Sequence, residues 1–369
     1  MNLPMAPTQA IPAAQPLPAL SAEEITAMKE EVRQLAAARD AVILAHNYQV
    51  PEVQDVAHYV GDSLGLSRQA AAAGQSTIVF CGVHFMAETA SILCPEKTVL
   101  IPDLEAGCSL AASIDAEQLA AWREQYPDGV VVMYVNTTAE VKALTDYCCT
   151  SANAVDVVRH IYETHGEDTE ILFGPDMWLG SYVEKELGRR MHVWDGECHV
   201  HAGIRPADIE ATRAAHPGAD FLIHPECGCS TSVMEYVAAG DVDAEGVHML
   251  STGGMLKYAE SIEKTAPAAG QVSEPGLPDT TEPPAADLAT HPVREAVVAT
   301  EVGMLYPLRM AAPDVQFIPA NAEASCVYMK MITLPKLRDA LRDGRFEVKV
   351  DPETAAKARV PIDRMVAIG

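Results

Sequence analysis

The chain has 369 residues, 49% of them hydrophobic, and a formal net charge of −26 at pH 7. This length exceeds what one hydrophobic core usually serves, so we expect two or three packed units. Acidic residues number 52 against 26 Lys and Arg, which excludes nucleic acid as a partner because phosphates are bound chiefly by basic side chains. No apolar run approaches the roughly 18 residues of a membrane-spanning helix, so we expect no membrane partner.

The N-terminal composition and the cysteine content together indicate a cellular compartment. Residues 1–20 are rich in Pro, Ala and Gln and contain no Lys or Arg, so they lack the positive start of a secretory signal. We predict that they form a disordered tail. Nine cysteines in such a chain are typical of reduced thiols and metal ligation rather than of a disulfide framework. The expected location is the cytoplasm.

The first predicted α/β unit covers residues 21–115 and contains three strand-like apolar runs. Its candidate site residues follow the ends of those runs or start a helical stretch. They are His46, Tyr48, Ser63 and Cys108. A histidine and a phenol close together at a strand end could bind a carboxylate and move a proton. A satisfied core histidine and, for Ser63, simple helix capping are the competing interpretations.

The second predicted unit, residues 116–205, repeats this order. Its candidates are Tyr134, Asn136, Ser151 and Cys198. Tyr134 and Asn136 point to the same face of a strand because side chains alternate, which suits them to gripping one carboxylate. Ser151 stands 17 residues after Tyr134, and Ser63 stands 17 residues after His46.

The third predicted unit, residues 206–330, carries extra length. Its candidates are His224, Glu226, Thr252 and Cys326. His224 and Glu226 stand two residues apart at a strand end and could form an acid/base pair, with a buried ion pair as the alternative. A proline-rich stretch at about 265–292 has no apolar periodicity and predicts a surface insertion. Residues 331–369 form a C-terminal segment after the last unit.

The spacing between strands recurs from unit to unit. The separations are 21 residues from Cys81 to Pro102, 21 from Gly174 to Asp195, and 20 from Thr300 to Ala320. Strands that alternate with Ala-rich helical stretches predict βαβ units with parallel sheets, in which ligand groups collect beyond the C-terminal strand ends. The predicted fold is therefore α/β, with three similar three-layer αβα units related by pseudo-threefold symmetry and an active site at their common interface.

The repeat singles out Cys108, Cys198 and Cys326, because each follows the third strand of its unit. We interpret them as ligands of one [4Fe-4S] cluster, although such clusters normally take four thiolates, often in tight runs that are absent here. Three protein ligands would leave one iron open to act as a Lewis acid on a substrate oxygen. Small buried hydrophobic side chains, or zinc in place of the cluster, are the alternatives.

The remaining six cysteines are divided by their contexts. Cys81 and Cys94 lie in apolar runs and are predicted to be core thiols. A vicinal pair occupies residues 148–149, and a rival hypothesis makes Cys227 or Cys229 a ligand or a redox pair. Nucleotide signatures (GxGxxG after a strand, GxxxxGK[ST]) and the CxxxCxxC pattern are absent, so nucleotide binding and radical S-adenosylmethionine chemistry gain no support.

Several motifs of this sequence occur together in one known family. They are AHNYQ at 45–49, GDSLGLS at 61–67, AGCSLA at 106–111, YVNT at 134–137, TSANA at 150–154, HPEC at 224–227, STGGM at 251–255 and ATEVGM at 299–304. On these motifs the chain closely resembles the quinolinate synthase family, over about residues 25–334. That combination is highly specific.

The resemblance implies condensation of iminoaspartate with dihydroxyacetone phosphate to quinolinate in NAD biosynthesis, with release of phosphate and water. It implies the three repeat cysteines as cluster ligands, and a functional link to the enzyme that supplies iminoaspartate. The implied substrate-binding residues are His46, Ser63, Tyr134, Asn136, Ser151, His224, Glu226 and Thr252. Tyr48, Glu226 and His224 are the implied catalytic residues. An aconitase-like [4Fe-4S] hydro-lyase and a cluster-bearing redox sensor are the alternatives.

Overall fold

The computed structural model describes residues 20–239, 246–265 and 293–369. The predicted tail, residues 1–20, lies outside this description except for residue 20. The predicted proline-rich insertion lies outside it from residue 266 onward. Within the described residues, no helix has both the length and the apolar character needed to cross a membrane.

Twelve strands form in the described part of the chain. They are β1 (Ala41–His46), β2 (Tyr59–Gly61), β3 (Thr77–Cys81), β4 (Thr98–Leu100), β5 (Val130–Tyr134), β6 (Tyr147–Cys149), β7 (Ile171–Gly174), β8 (His192–Val193), β9 (Asp220–Ile223), β10 (Val247–Met249), β11 (Glu295–Ala299) and β12 (Gln316–Pro319).

Helices alternate with these strands. They are α1 (Ala22–Ala38), α2 (Pro51–Gln54), α3 (Ser63–Ala72), α4 (His84–Leu93), α5 (Ala116–Gln125), α6 (Ala139–Lys142), α7 (Ala154–His165), α8 (Met177–Leu187), α9 (His199–Ala202), α10 (Pro206–Ala215), α11 (Ser230–Ala239), α12 (Thr252–Thr265), α13 (Leu305–Ala311), α14 (Val327–Lys330), α15 (Leu334–Asp343) and α16 (Pro352–Ala367). Two short 3₁₀ turns lie at Ala111–Ser113 and Val302–Met304.

The strands form three separate four-stranded sheets that share one topology. The strand orders are β2-β1-β3-β4, β6-β5-β7-β8 and β10-β9-β11-β12, and every pairing within them is parallel. The central strands β1, β7 and β9 are buried along their whole length, as expected when helices cover both faces of a parallel sheet. The predicted α/β fold of three similar αβα units is confirmed. The unit boundaries predicted near residues 115 and 205 stay a prediction.

Each sheet has one strand more than the sequence predicted. The additional strands are β2, β6 and β10, each three residues long, and each pairs with the first strand of its sheet. They lie outside the apolar runs that predicted the other strands, and they form through pairing with a neighbour, which no local pattern shows. They nevertheless decide where the following helices begin, and these are the helices that bring hydroxyl groups to the site.

The C-terminal segment ties the first two units together. Helix α15 packs on α1, while α16 packs against α3 and α4 of the first unit and against α6 and β6 of the second. The backbone between α15 and α16 also extends the first sheet, because the N–H of Val348 donates to the carbonyl of Val99 (2.8 Å). The C-terminal segment is therefore part of the packing between units rather than an appendage.

Candidate active site

A cavity with about 720 Å³ of empty volume lies where the C-terminal strand ends of the three sheets meet. All the site residues predicted from the sequence line it. They are His46, Tyr48, Ser63, Cys108, Tyr134, Asn136, Ser151, Cys198, His224, Glu226, Thr252 and Cys326. The structure thus brings the whole predicted set together, whereas the role of each member stays a prediction.

The hydroxyl groups come from the helices that follow the short edge strands. Ser63 is the first residue of α3, Thr252 is the first residue of α12, and Ser151 lies in the turn before α7. The cap predicted at the start of α3 is made by Asp62, whose carboxylate accepts the N–H of Gly65 (2.8 Å). Helix N-termini present unpaired N–H groups and a partial positive charge, so this side of the cavity favours anions.

The three repeat cysteines occupy equivalent corners, each between the last strand of its sheet and a helical turn. Cys198 and Cys326 directly precede α9 and α14, and Cys108 precedes a 3₁₀ turn. Burial raises the pKa of the Cys108 thiol to about 12 and that of Cys326 to about 11, and raises the pKa of Cys198 well above its usual value. Backbone N–H groups of the turn after each cysteine bond to its sulfur and oppose this effect.

The sulfurs also influence one another. In addition to burial, the charge of Cys326 raises the pKa of Cys108, and the charges of Cys108 and Cys326 raise the pKa of Cys198. Thiols in such a site ionise readily only when a metal compensates the buried charge, because a metal-bound thiol is deprotonated outright. The corner residues are therefore suited to holding a metal centre and poorly suited to acting as free nucleophiles.

One group of described residues could hold a single metal ion. Ligand atoms of Cys198, His201 and Glu226 all lie within 4.8 Å of one another. Cys108 and Cys326 line the same cavity but are not part of this compact group. Since a thiolate lies about 2.3 Å from a bound metal ion, thiolates that share one ion must be within roughly 4.6 Å. In this arrangement the three cysteines therefore do not all approach one another closely enough to share a single ion.

A buried carboxyl group stands between two imidazoles. Oε2 of Glu226 lies 3.5 Å from Nδ1 of His201, its Oε1 lies 3.7 Å from Nδ1 of His224, and the hydroxyl of Tyr134 donates to Oε1. Burial raises the pKa of Glu226 to about 8, with a further increase from the charge of Asp176. Burial also lowers the pKa of His201 to about 4 and that of His224 well below its usual value. These pKa shifts favour the neutral forms of all three groups over the ion pair considered from the sequence.

The phenol of Tyr48 belongs to a second hydrogen-bonded group. Its oxygen lies 2.5 Å from Oγ1 of Thr300 and 3.1 Å from Nε2 of His201, and these two partners are themselves 3.1 Å apart. Burial raises the pKa of Tyr48 well above its usual value, and the charge of Glu226 adds to this increase. Since His201 contacts both groups, it connects the phenol of Tyr48 to the carboxyl of Glu226.

Four further side chains that line the cavity or contact its residues were not predicted from the sequence. They are His201, Thr300, Asp176 and Glu301. Thr300 and Glu301 lie inside the ATEVGM motif, and His201 stands three residues after a repeat cysteine, so position relative to the repeat was the signal that could have found them. His201, His224 and Glu226 are nearly inaccessible to solvent, with exposed fractions of 4%, 3% and 2%.

The other cysteines are buried in the core and do not line the cavity. The thiol of Cys94 donates to the carbonyl of Ala70 (3.2 Å), and that of Cys227 donates to the carbonyl of Ala299 (3.0 Å). Cys81 and Cys94 are thus core thiols, as predicted. The structure does not bring Cys227 or Cys229 to the cavity wall, so the rival ligand hypothesis gains no support.

The fold and the cavity define a three-unit α/β enzyme with a buried site that can hold metal. A family model described as "NadA: Quinolinate synthetase A protein" matches residues 30–273 and 280–367. The quinolinate synthase of Mycobacterium tuberculosis is 53% identical over 340 residues, covering 92% of this chain and 88% of that protein. The corresponding proteins of Mycolicibacterium paratuberculosis (54%, 92% and 88%) and Mycobacterium sp. strain KMS (53%, 92% and 91%) are similar to the same extent.

The chain belongs to the quinolinate synthetase A family. It is an enzyme of NAD biosynthesis that forms quinolinate, as the resemblance of its motifs predicted. Membership of this family removes the reason to retain the aconitase-like hydro-lyase or the redox sensor.

Proposed function

We propose that the enzyme condenses iminoaspartate with dihydroxyacetone phosphate to form quinolinate, phosphate and water. Cys108, Cys198 and Cys326 hold one [4Fe-4S] cluster with an iron open to substrate. The reaction takes place in the cytoplasm, with iminoaspartate supplied by a separate enzyme. The observation that carries the proposal is that a single buried cavity collects one cysteine and several polar side chains from each of three sheets.

The donor set fits this cluster. Three thiols face one cavity from three directions, and no fourth cysteine of the described residues lines it. Backbone N–H groups bond to each sulfur, an interaction that stabilises thiolate ligands of iron–sulfur clusters and adjusts their reduction potential. When bound, the cluster would supply a Lewis acid for the substrate hydroxyl that departs as water.

The cavity wall provides donors for two anionic substrates. Ser63, Ser151 and Thr252 each stand at the N-terminal end of a helix, where N–H groups and hydroxyls bind carboxylate or phosphate oxygens. The carbonyl oxygen of Asn136 is buried without a hydrogen-bond partner, which supports its use by a substrate amine or hydroxyl. Neutral His46 and His224 add N–H donors or acceptors without bringing fixed charge.

Two of the groups are suited to moving protons. Glu226, once it has lost its own proton, accepts a proton from the carbon that forms the new bond, while Tyr134 holds the carboxylate in place through its hydroxyl. Tyr48 exchanges a proton with the substrate oxygen, and Thr300 and His201 hold its phenol at the required angle. His224 orients its partners through a 3.1 Å contact with the hydroxyl of Ser151. Burial of all these side chains excludes bulk water from competing reactions.

The test is assay and metal analysis of protein purified without oxygen. We expect wild-type protein to contain about four iron and four sulfide per chain, and to release phosphate and form quinolinate from the two substrates. Cys198→Ala should lose the cluster, whereas Cys94→Ala, a matched change in a core cysteine, should keep it. Iron and sulfide retained in Cys198→Ala would overturn the ligand assignment. Quinolinate formation without phosphate release would overturn the substrate assignment.

A single ion at Cys198, His201 and Glu226 is the second candidate, favoured by the close approach of their ligand atoms. Such a ligand set is typical of zinc. Metal analysis separates the two centres, because a zinc enzyme contains about one zinc per chain and no acid-labile sulfide. Substitution of Cys108, which lies outside the compact group, would remove a cluster but leave a zinc ion in place.

A further inference from the structure

Two carboxylates without a role in the proposed reaction lie at the cavity: Glu301 lines its wall, and Asp176 lies outside the lining. Asp176 follows β7 and Glu301 follows β11, so they occupy matching positions in the second and third sheets. Both side chains are completely buried, with an exposed fraction of 0%. A buried carboxylate is costly unless every oxygen is hydrogen-bonded, so the partners of these groups should reveal their role.

Asp176 divides its two oxygens between a helix and a repeat cysteine. Oδ1 accepts the N–H groups of Trp178 (2.7 Å) and Leu179 (3.0 Å) and thereby caps α8. Oδ2 accepts the backbone N–H of Cys198 (3.2 Å). Capping of α8 therefore explains the contacts of Oδ1 only. Oδ2 instead binds the backbone N–H of Cys198, a proposed metal ligand.

Glu301 makes the same contact in the third unit. Its Oε1 accepts the backbone N–H of Cys326 (2.9 Å), and its Oε2 accepts the N–H of Gly303 (2.7 Å). Nζ of Lys330 lies 2.9 Å from Oε1 and also donates to the backbone carbonyl of Tyr48. Glu301 thus connects the corner of Cys326 to the backbone of the proposed proton-transferring tyrosine.

The first unit has no carboxylate in the matching position. The residue that precedes α4, in the position matching Asp176, is Val83, and its side chain makes no capping hydrogen bond. Among the described residues, the carboxylate contact is therefore made to two of the three repeat cysteines. The same contact built from Asp in one sheet and from Glu in another indicates a requirement of the cysteine corner rather than an accident of one helix cap.

We propose that Asp176 and Glu301 are positioning residues that fix the peptide N–H of Cys198 and Cys326, and so aim two of the three sulfurs at the cluster. This inference rests on the proposed cluster and its ligands. A short, anchored peptide restricts the rotation of the cysteine backbone, so each sulfur is oriented before the metal binds. Partners of this kind commonly change metal affinity by roughly 10- to 100-fold when they are removed.

Asp176→Asn separates positioning from capping. The amide of Asn has only one oxygen. We expect this oxygen to accept the N–H groups of Trp178 and Leu179 and so to cap α8, because Asn caps helices as well as Asp does. The NH₂ group then faces the N–H of Cys198, where two donors cannot bond. The variant should keep α8 and lose the hydrogen bond to the backbone N–H of Cys198. Asp115→Asn is the matched control, because Asp115 is an exposed cap of α5 with no cysteine beside it.

The experiment uses the cluster-loaded proteins and measures the rate at which an iron chelator removes the cluster, together with the electron paramagnetic resonance spectrum of the reduced cluster. We expect Asp176→Asn to lose its cluster about tenfold faster than wild type or more, with an altered spectrum. Asp115→Asn should match wild type in both readouts. Thermal unfolding of the metal-free proteins should show a cooperative transition for both variants, because both keep their helix cap.

Glu301→Gln provides an independent second variant, and it decides the question if Asp176→Asn fails to fold. It should also release its cluster faster, and it should lower kcat because Lys330 loses the partner that holds it against Tyr48. Chelation rates and spectra equal to wild type in both variants would overturn the inference. A wild-type protein without iron and sulfide would instead overturn the proposed function, so the two failures are distinguishable.

Discussion

Three imidazoles in the cavity wall are uncharged in the folded protein. Burial lowers the pKa of His46 to about 3 and that of His201 to about 4, with the charge of Lys330 contributing at His46. The rings of His201 and His224 stack with centroids 4.9 Å apart, an arrangement that two imidazolium ions would destabilise. An anionic substrate would therefore be bound by neutral donors and helix ends. Burial in the folded protein keeps the three imidazole rings in their neutral form.

This burial makes the free energy of unfolding depend on pH. The pKa of His46 is about 3 in the folded protein and about 6.5 when exposed, so below pH 6.5 the unfolded chain binds a proton that the folded protein does not. The contribution of His46 to stability is therefore complete above pH 6.5 and is lost as the pH falls towards 3. From pH 7.5 to 5.5, wild type should lose about 1.4 kcal/mol more stability than His46→Gln.

Urea unfolding of both proteins at the two pH values measures this difference. Comparing the two proteins is necessary because burial raises the pKa of Glu226 to about 8 and that of Asp176 to about 7. These carboxyl groups bind protons more tightly when folded and change stability in the opposite direction, but they do so equally in both proteins. Identical pH dependence in the two proteins would mean that His46 is not buried in its neutral form.

At the level of elements, the end of α16 is bound to the turn that carries Ser151. The amide of Asn153 accepts the N–H of Thr150 (2.8 Å) and donates to the carbonyls of Met365 (3.0 Å) and Ile368 (2.8 Å). Arg68 of α3 likewise donates to the carbonyl of Val366. The C-terminal helix therefore contacts the turn that carries Ser151 and the middle of α3, the helix that begins at Ser63.

Asn153→Ala should destabilise the protein by about 2–3 kcal/mol, because it leaves buried carbonyl and N–H groups without partners. Because Ser151 is two residues away, KM should rise several-fold while kcat changes little. Urea unfolding and steady-state kinetics measure the two effects. Gln125→Ala, which removes an exposed amide from α5, should change stability by less than about 0.5 kcal/mol. A KM equal to that of wild type would show that α16 has no influence on the site.

The same elements show what the sequence could predict. The long strands β1, β5 and β9 and the cysteine corners were visible because apolar runs and spacings repeat along the chain. The strands β2, β6 and β10 were not, because they lie outside those runs and their existence depends on pairing with a neighbour. Thr300 and His201 were missed for a related reason: their contact with Tyr48 joins residues 252 and 153 positions apart in the chain.

At the scale of the whole molecule, the proposed cluster would join three separate sheets. Cys108 follows the first sheet, Cys198 the second and Cys326 the third, and among the described residues no strand of one sheet pairs with a strand of another. The sheets otherwise meet through side-chain packing and the C-terminal helices. A metal centre with one ligand from each sheet therefore stabilises the arrangement of the units as well as performing chemistry.

Removal of the cluster should lower the thermal stability of the wild-type protein. A ligand present at 100 times its dissociation constant adds about 2.7 kcal/mol to the folded state, and 1 kcal/mol corresponds to about 2–4 °C for chains of roughly this size. We expect the Tm measured by calorimetry to fall by about 5–10 °C when the cluster is removed. Removal by oxidation and chelation must leave the cysteines themselves unoxidised.

Cys94→Ala should show the same fall in Tm from its own starting value. Cys198→Ala, which cannot hold the cluster, should show none and should already unfold near the temperature of the metal-free protein. Equal Tm values for loaded and metal-free wild type would mean that side-chain packing alone holds the three sheets in register, and that the cysteines contribute to chemistry without contributing to assembly.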